Sequence, residues 1–335
     1  MSSWLDAIKG YFEIRNRAWV NLDTSPMLKQ ICPSKDIKWY KYTRHLIERK
    51  NDALKFQGKR LLRVHSTMRV RDAEEIKSQG IRAHVDETIY WVYQDKDKFS
   101  VESRVIVHRQ EWSPHRGNWV LVADQESNER EKFTESVYPV DLSAVQGNIA
   151  GELIELNRQI SLYDRVKAIR YAELWWNGYN PTFPTIDDDC TNFISQCLHA
   201  GRLNMTNTTN RASGWWCQFK NDRSSETWSY SWAVSQSLFQ YLMKGVGASR
   251  VSTAKELKMG DLIFYDWDGA GKFHHTTIVT DFDEYGDPLV NAHSDSSYHR
   301  PYTYFDSRAW SKRTQYAYVH LPDKFAKKVK EPKVD

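Results

Sequence analysis

Cysteine is scarce in this chain of 335 residues, which has only Cys32, Cys190, Cys197 and Cys217. No C-x-x-C pair occurs among them, which removes the usual signature of a zinc site. Cys190 and Cys197 sit about 10 Å apart along a helix by helix rise, too far for a disulfide. In a chain this long the four do not look like a disulfide framework. An excess of one charge is also missing: 47 Lys and Arg against 43 Asp and Glu leave a formal +4, which makes no case for nucleic acid. No apolar run approaches the ~20 residues that span a bilayer. Met1-Ser2-Ser3-Trp4-Leu5-Asp6 lacks the basic n-region and apolar h-region of a secretory signal, so a cytoplasmic location is the expectation. No cofactor and no metal are expected.

Hydrophobic residues make up 40% and charged residues 27%, enough to bury a core, and the length suits two domains. Residues 1–135 read as an α+β domain of unknown role. Helical patterns cover Trp4 to Asn21 and Lys38 to Phe56, and strand patterns cover Arg60–Arg71, Ile81–Tyr93, Ser100–Gln110 and Asn118–Asp124. Trp112 to Asn118 reads as the last turn. The pattern resembles the cystatin-like or nuclear-transport-factor-like arrangement. His65 and His108 read as ordinary strand histidines. Residues 136–160 read as a linker, 161–322 as a second domain and 323–335 as a polar tail.

The second domain is organised around Asp187-Asp188-Asp189-Cys190-Thr191-Asn192-Phe193-Ile194-Ser195-Gln196-Cys197-Leu198. Phe193, Ile194, Cys197 and Leu198 recur at helical spacing, and Cys190 shares their face. Asp189 reads as the N-cap, and Gly201 as a C′ stop. A thiol in a first turn feels the positive end of the helix dipole, which favours thiolate. The neighbouring carboxylates oppose this, so a cationic partner is needed. Asp187 and Asp188 read as a solvated acidic turn, and Cys197 as core. Around this helix, Tyr163 to Gly178 reads as a helix and Asn180-Pro181-Thr182-Phe183-Pro184 as an extended loop. A further helix is expected from Ser231 to Lys244. The period then drops to two, with strands at Leu262–Asp266, His275–Asp281, Leu289–His293 and Gln315–Leu321.

Cysteine catalysis requires a base beside the thiol and a group that orients the base. His275 opens one strand, and Asn291 and His293 share a face of the next. Antiparallel neighbours can stand side by side. His274, on the other face by alternation, is the alternative base.

From about residue 163 to 320 the chain resembles the putative amidase domain of bacterial proteins, a branch of the papain-like cysteine hydrolases related to NlpC/P60 and CHAP enzymes. The resemblance rests on Tyr163 and Arg165, Tyr171-Ala172, Trp175-Trp176, Asn180-Pro181, the Asp189–Leu198 string and Ala200-Gly201. It continues through Gly214-Trp215-Trp216, Ser231-Trp232, Gly260-Asp261-Leu262-Ile263, His275-Thr276-Thr277-Ile278-Val279 and Asn291-Ala292-His293.

The resemblance implies an α+β, papain-like domain with Cys190 as nucleophile, His275 as base and His293 as third residue. Asn291 is the alternative orienter, since papain-like enzymes often use asparagine there. It implies hydrolysis of an amide through a thioester, with peptide or peptidoglycan-fragment substrates and work at the cell wall. Trp215, Trp216, Trp228 and Trp232 would bind substrate. One departure is Phe183, where relatives carry a tyrosine whose hydroxyl can assist an oxyanion. Two other outcomes share the fold: an inactive peptide- or glycan-binding module, and an acyltransferase in which an amine replaces water.

Overall fold

The structure is a computed structural model that describes residues 3–32, 37–126, 158–186, 188–218 and 228–328. Two compact units divide the chain: Met1–Asn128 with Thr303–Trp310, and Glu129–Tyr302 with Ser311–Asp335.

In the first unit, helix α1 (Trp4–Asn21) starts at a capping box in which Ser3 Oγ accepts from Asp6 N–H and Asp6 accepts from Ser3 N–H. Its buried residues Ile8, Tyr11, Phe12, Arg15, Ala18 and Trp19 form one helical stripe. A short α2 (Ser25–Leu28) leads to α3 (Lys38–Phe56). Four antiparallel strands follow in chain order: β1 (Arg60–Ile76), β2 (Gly80–Asp95), β3 (Lys98–His115) and β4 (Asn118–Glu126). Along β2 burial alternates, so Ile81, Ala83, Val85, Ile89, Trp91 and Tyr93 join the helices in one core. The turn expected over Trp112–Asn118 is shorter. Strand β3 runs to His115, and only Arg116 (φ 49°) and Gly117 (φ 83°) turn the chain. Two positive φ values match the twist of a tight hairpin.

Glu87 and His108 occupy the buried face of their strands. His108 bonds Asp124 Oδ1 at 3.0 Å and Glu87 Oε2 at 3.2 Å. Arg15 pairs with Glu87 and Glu126, and Arg308 with Glu126 at 2.8 Å. His108 is therefore a member of a buried charge cluster rather than an ordinary strand histidine. Burial alone pulls its pKa down, but Asp124 and Glu87 overcome this and raise it to about 9. Burial pushes Glu126 up, but Arg308 and Arg15 hold it down at about 2. The His108 contribution is complete below an unfolded pKa near 6.5 and is lost as pH rises through 9. The Glu126 contribution is complete above an unfolded pKa near 4.5 and is lost as pH falls toward 2. The expected result is greatest stability of this unit between about pH 4.5 and 6.5. A loss of about 3 kcal/mol follows by pH 9. Thermal unfolding against pH checks this, and His108→Gln removes the alkaline limb.

The second unit begins with β5 (Arg158–Leu162), antiparallel to β12 (Lys324–Lys328). Both depart from expectation. Residues 158–160, read as linker, lie in a strand; the rest of that linker, 136–157, lies outside the described residues. The expected polar tail carries a strand whose Phe325 is buried 4.9 Å from the Tyr163 ring. Segment 303–310, read as second domain, belongs to the first unit.

Helices α4 (Arg165–Trp175) and α5 (Asp189–Ala200) come next. The helix expected from Ser231 to Lys244 is broken at Val234, which is extended. It becomes α6 (Tyr230–Ala233) and α7 (Ser235–Tyr241). The sheet is antiparallel in the order β10 (Ser297–Pro301), β9 (Pro288–Ala292), β8 (His275–Phe282), β7 (Leu262–Asp266), β11 (Gln315–His320), β6 (Ser249–Val251). Ala168, Ala172, Phe193, Ile194, Cys197, Leu198 and Leu238 pack on Leu262, Phe264, Ile278, Ala317 and Val319.

Several of the residues that signal the resemblance hold this packing together. Tyr163 Oη donates to Gly260 O at 2.7 Å, and Arg165 donates to Asp261 Oδ1 at 2.7 Å and Leu321 O at 2.6 Å. Gly260 needs its φ of +86°. Gly201 does not use the left-handed region: its φ is −74°. Its absent side chain is explained by space, because a Cβ would come 2.5 Å from Tyr163 Cε2 and 3.1 Å from Ala168 Cβ. Gly201→Ala is expected to cost about 1–3 kcal/mol by overpacking, read from urea unfolding.

Candidate active site

Cys190 sits in the first turn of α5 and is 2% exposed. The cap falls at Asp188, one residue earlier than expected, and its side chain bonds no first-turn amide. Asp189 turns inward instead. It accepts from Asn192 Nδ2 at 2.7 Å and from His293 Nδ1. Asp187 lies outside the described residues.

Burial pushes the Cys190 thiol up to about 11. The Thr191 hydroxyl, at 3.6 Å, and the Thr276 backbone N–H favour thiolate, while Asp188 and Asp189 oppose it. Burial outweighs these hydrogen bonds and favours the thiol over the thiolate. The Thr276 contact brings it to β8, one residue past His275.

His275 is fully buried, opposite Tyr265 in the ladder. Its ring lies 5.4 Å from Tyr265 and 5.8 Å from Trp267, stacked on the latter. Thr276 hydrogen-bonds Ser235 at the start of α7. The sulfur thus meets the backbone of β8 one residue past His275, while alternation along the strand turns the His275 ring to the face opposite the Thr276 side chain.

The other two expected partners of His275 are committed elsewhere. Both ring nitrogens of His293 face oxygens that only accept: the Asp189 carboxylate, and the Trp175 carbonyl at 2.6 Å. The ring stacks on Phe193 at 4.0 Å and 11°, with Tyr179 edge-on at 5.5 Å. Asn291 donates to Ala172 O at 3.3 Å and accepts from Thr280 Oγ1 at 3.0 Å and His299 N at 2.9 Å. Neither is spare to orient His275, because each has spent its polar atoms on the helices or on its own sheet.

Three of the four tryptophans expected to bind substrate are buried anchors. Trp215 donates to Ser195 Oγ at 3.0 Å, Trp232 to Asn192 Oδ1 at 2.7 Å and Trp216 to Asn210 O at 3.1 Å. Their rings are in the core and cannot stack on a ligand. Trp228 is half-buried, with the Arg211 guanidinium 5.8 Å above it. Phe183 stacks on Trp232 at 5.9 Å.

His274 places a ring nitrogen within 4.8 Å of carboxylate oxygens of Asp266 and Asp268. Asp266 already anchors the β7–β8 turn through the amides of Gly269, Ala270 and Gly271. His108, Asp124 and Glu126 have similar spacing, but Arg15 and Arg308 already supply their positive charge.

The residues that sequence reasoning missed are Asp189 as the His293 partner, the Trp175 carbonyl and Tyr179, which is 59% exposed beside that ring. The adjacency of Asp189 to Cys190 was the only available signal.

Residues 162–319, which carry this thiol and strand, match a known family model. That family is the putative amidase domain. The match points to amidase-type hydrolysis of amide bonds. Two relatives from Bacillus subtilis (strain 168) align with much of the chain. "Uncharacterized protein YhbB" is 41% identical over 208 residues, 61% of this chain and 63% of its own length. "Uncharacterized protein YjcM" is 26% identical over 198 residues, 56% of this chain and 44% of its own length. The chain thus spans less than two thirds of either relative. No solved structure matches.

Proposed function

We propose that residues 162–319 form a cysteine amidase of papain-like type, with Cys190 as nucleophile and His275 as base. The observation that carries this reading is the Cys190 sulfur at a helix N-terminus, against the backbone amide of Thr276, the residue that follows His275 in β8. It lies inside the region that matches the amidase family.

Burial favours the thiol form, so the base takes its proton as the bond forms. Cys190 sulfur attacks the amide carbon while His275 accepts the S–H proton. First-turn N–H groups of α5, including that of Cys190, are free of a side-chain cap from Asp188 and can hold the oxyanion. His275 then gives the proton to the leaving nitrogen as the C–N bond breaks. Water, deprotonated by His275, attacks the thioester and releases the acid and the thiol. A peptide amide of bacterial cell-wall material is the substrate class that the resemblance favours.

Incubation with peptidoglycan stem peptides, with and without an added amine, tests the reading by product masses. A hydrolysed acid and a new amino terminus are expected. A transferred amide would instead identify an acyltransferase. Intact peptides throughout a broad panel would contradict the amidase reading.

A further inference from the structure

His293 is tied to the nucleophile's helix on one side and to a second helix terminus on the other. Its Nδ1 donates to the buried carboxylate of Asp189, the residue before Cys190. Its Nε2 donates at 2.6 Å to the carbonyl of Trp175, the last residue of α4. A ring that donates from both nitrogens is an imidazolium. A carboxylate and the negative end of a helix dipole both favour that cation. The Phe193 face at 4.0 Å adds a cation–π contact. Asn192 completes the Asp189 shell from one helical turn further on.

We propose that His293 is a positioning residue that acts on the nucleophile through Asp189, by neutralising the carboxylate beside Cys190 and fixing the first turn of α5. This rests on the reading of Cys190 as nucleophile. It differs from a role in orienting His275, because no ring nitrogen of His293 is left for that. The carboxylates near the sulfur are Asp188 and Asp189 on its own helix, and the strand packed against it contributes Thr276 and His275. His293 offsets the second of these carboxylates. Without it, Asp189 would be a buried, uncompensated anion next to a sulfur that must become negative to react.

The test is the pH dependence of Cys190 alkylation by iodoacetamide, resolved from the other thiols by peptide mapping. It is run on the full chain, His293→Gln, Asp189→Asn and the double variant. This readout needs no substrate, so it separates failure of the relay from failure of the amidase reading. His293→Gln is expected to slow Cys190 labelling at a fixed pH about tenfold, one unit of thiol pKa. Asp189→Asn is expected to speed labelling, and adding His293→Gln to it is expected to change little. Equal slowing by His293→Gln in both backgrounds overturns the proposal, as does labelling indifferent to Asp189→Asn. If His293→Gln does not fold, Asp189→Asn and a second observable remain. The ¹H–¹⁵N spectrum of the native protein is expected to show a proton on each ring nitrogen of His293, as its two acceptor partners require. A single neutral tautomer overturns the proposal.

Discussion

Cys190→Ala is expected to lower kcat/KM for amide hydrolysis by about 10⁴- to 10⁶-fold, the loss typical of removing a covalent nucleophile. That is about 5–8 kcal/mol of transition-state stabilisation. The change itself is small: one sulfur leaves a site that is already 98% buried (2% exposed), so the fold should persist. Cys197→Ala is the matched control. Cys197 lies on the same helix but packs among Ile194, Leu198 and Ala168 in the core, so its loss is expected to lower stability by about 1–2 kcal/mol and leave kcat near the parent value. Equal effects of the two substitutions on kcat, measured on folded protein, would contradict the assignment.

Arg15→Ala is expected to destabilise the first unit by about 3–5 kcal/mol, the cost of stripping the partner from a buried charge. Arg15 is 1% exposed and lies between Glu87 and Glu126. Its removal leaves Glu87, itself fully buried, with His108 as the remaining cation at hydrogen-bond distance. The control is Arg44→Ala. Arg44 pairs with Glu48 at 3.3 Å, but both side chains are about half exposed, so that pair is worth about 0.3–0.5 kcal/mol. Urea unfolding of the two variants, followed by tryptophan fluorescence, measures the difference. A similar midpoint for both would show that the buried cluster adds no stability.

The elements legible in the sequence are those where side-chain period reports burial. Helix α1 and strand β2 are cases in which every third or fourth, or every second, residue is apolar and faces one core. The α5 string was legible for the same reason, and Cys190 could be placed on its inner face. Where polar side chains fill the interior, period misleads. Glu87 and Glu126 look like solvent-facing residues and are buried, because Arg15 reaches both from a helix more than 70 positions away in sequence. The break at Val234 was hidden because Val234, Leu238 and Leu242 keep a helical spacing across it. What divides the helix is the anchoring of Trp232, whose indole donates to Asn192 and whose carbonyl accepts from Ser195.

In the candidate site, the place of Cys190 in the first turn of its helix and of His275 at the start of its strand was legible, but the partners of His293 were not. The strand pattern set His293 beside Asn291 on β9 and its loop. The fold instead gives its nitrogens to α4 and α5, because a buried Asp189 needs a cation and the end of α4 needs a donor. Burial of Trp215, Trp216 and Trp232 was hidden too, since they read as members of polar, aromatic-rich loops, and the polar groups that hold their indoles, Ser195 Oγ, Asn210 O and Asn192 Oδ1, lie at other positions in the chain.

The most direct test of the account is to quench the protein with acid during turnover of a cleaved peptide, then measure intact mass and map the adduct. The account predicts the acyl half of the substrate on Cys190, as a thioester released by hydroxylamine. Turnover with no covalent species, or an acyl group on any other residue, would contradict it.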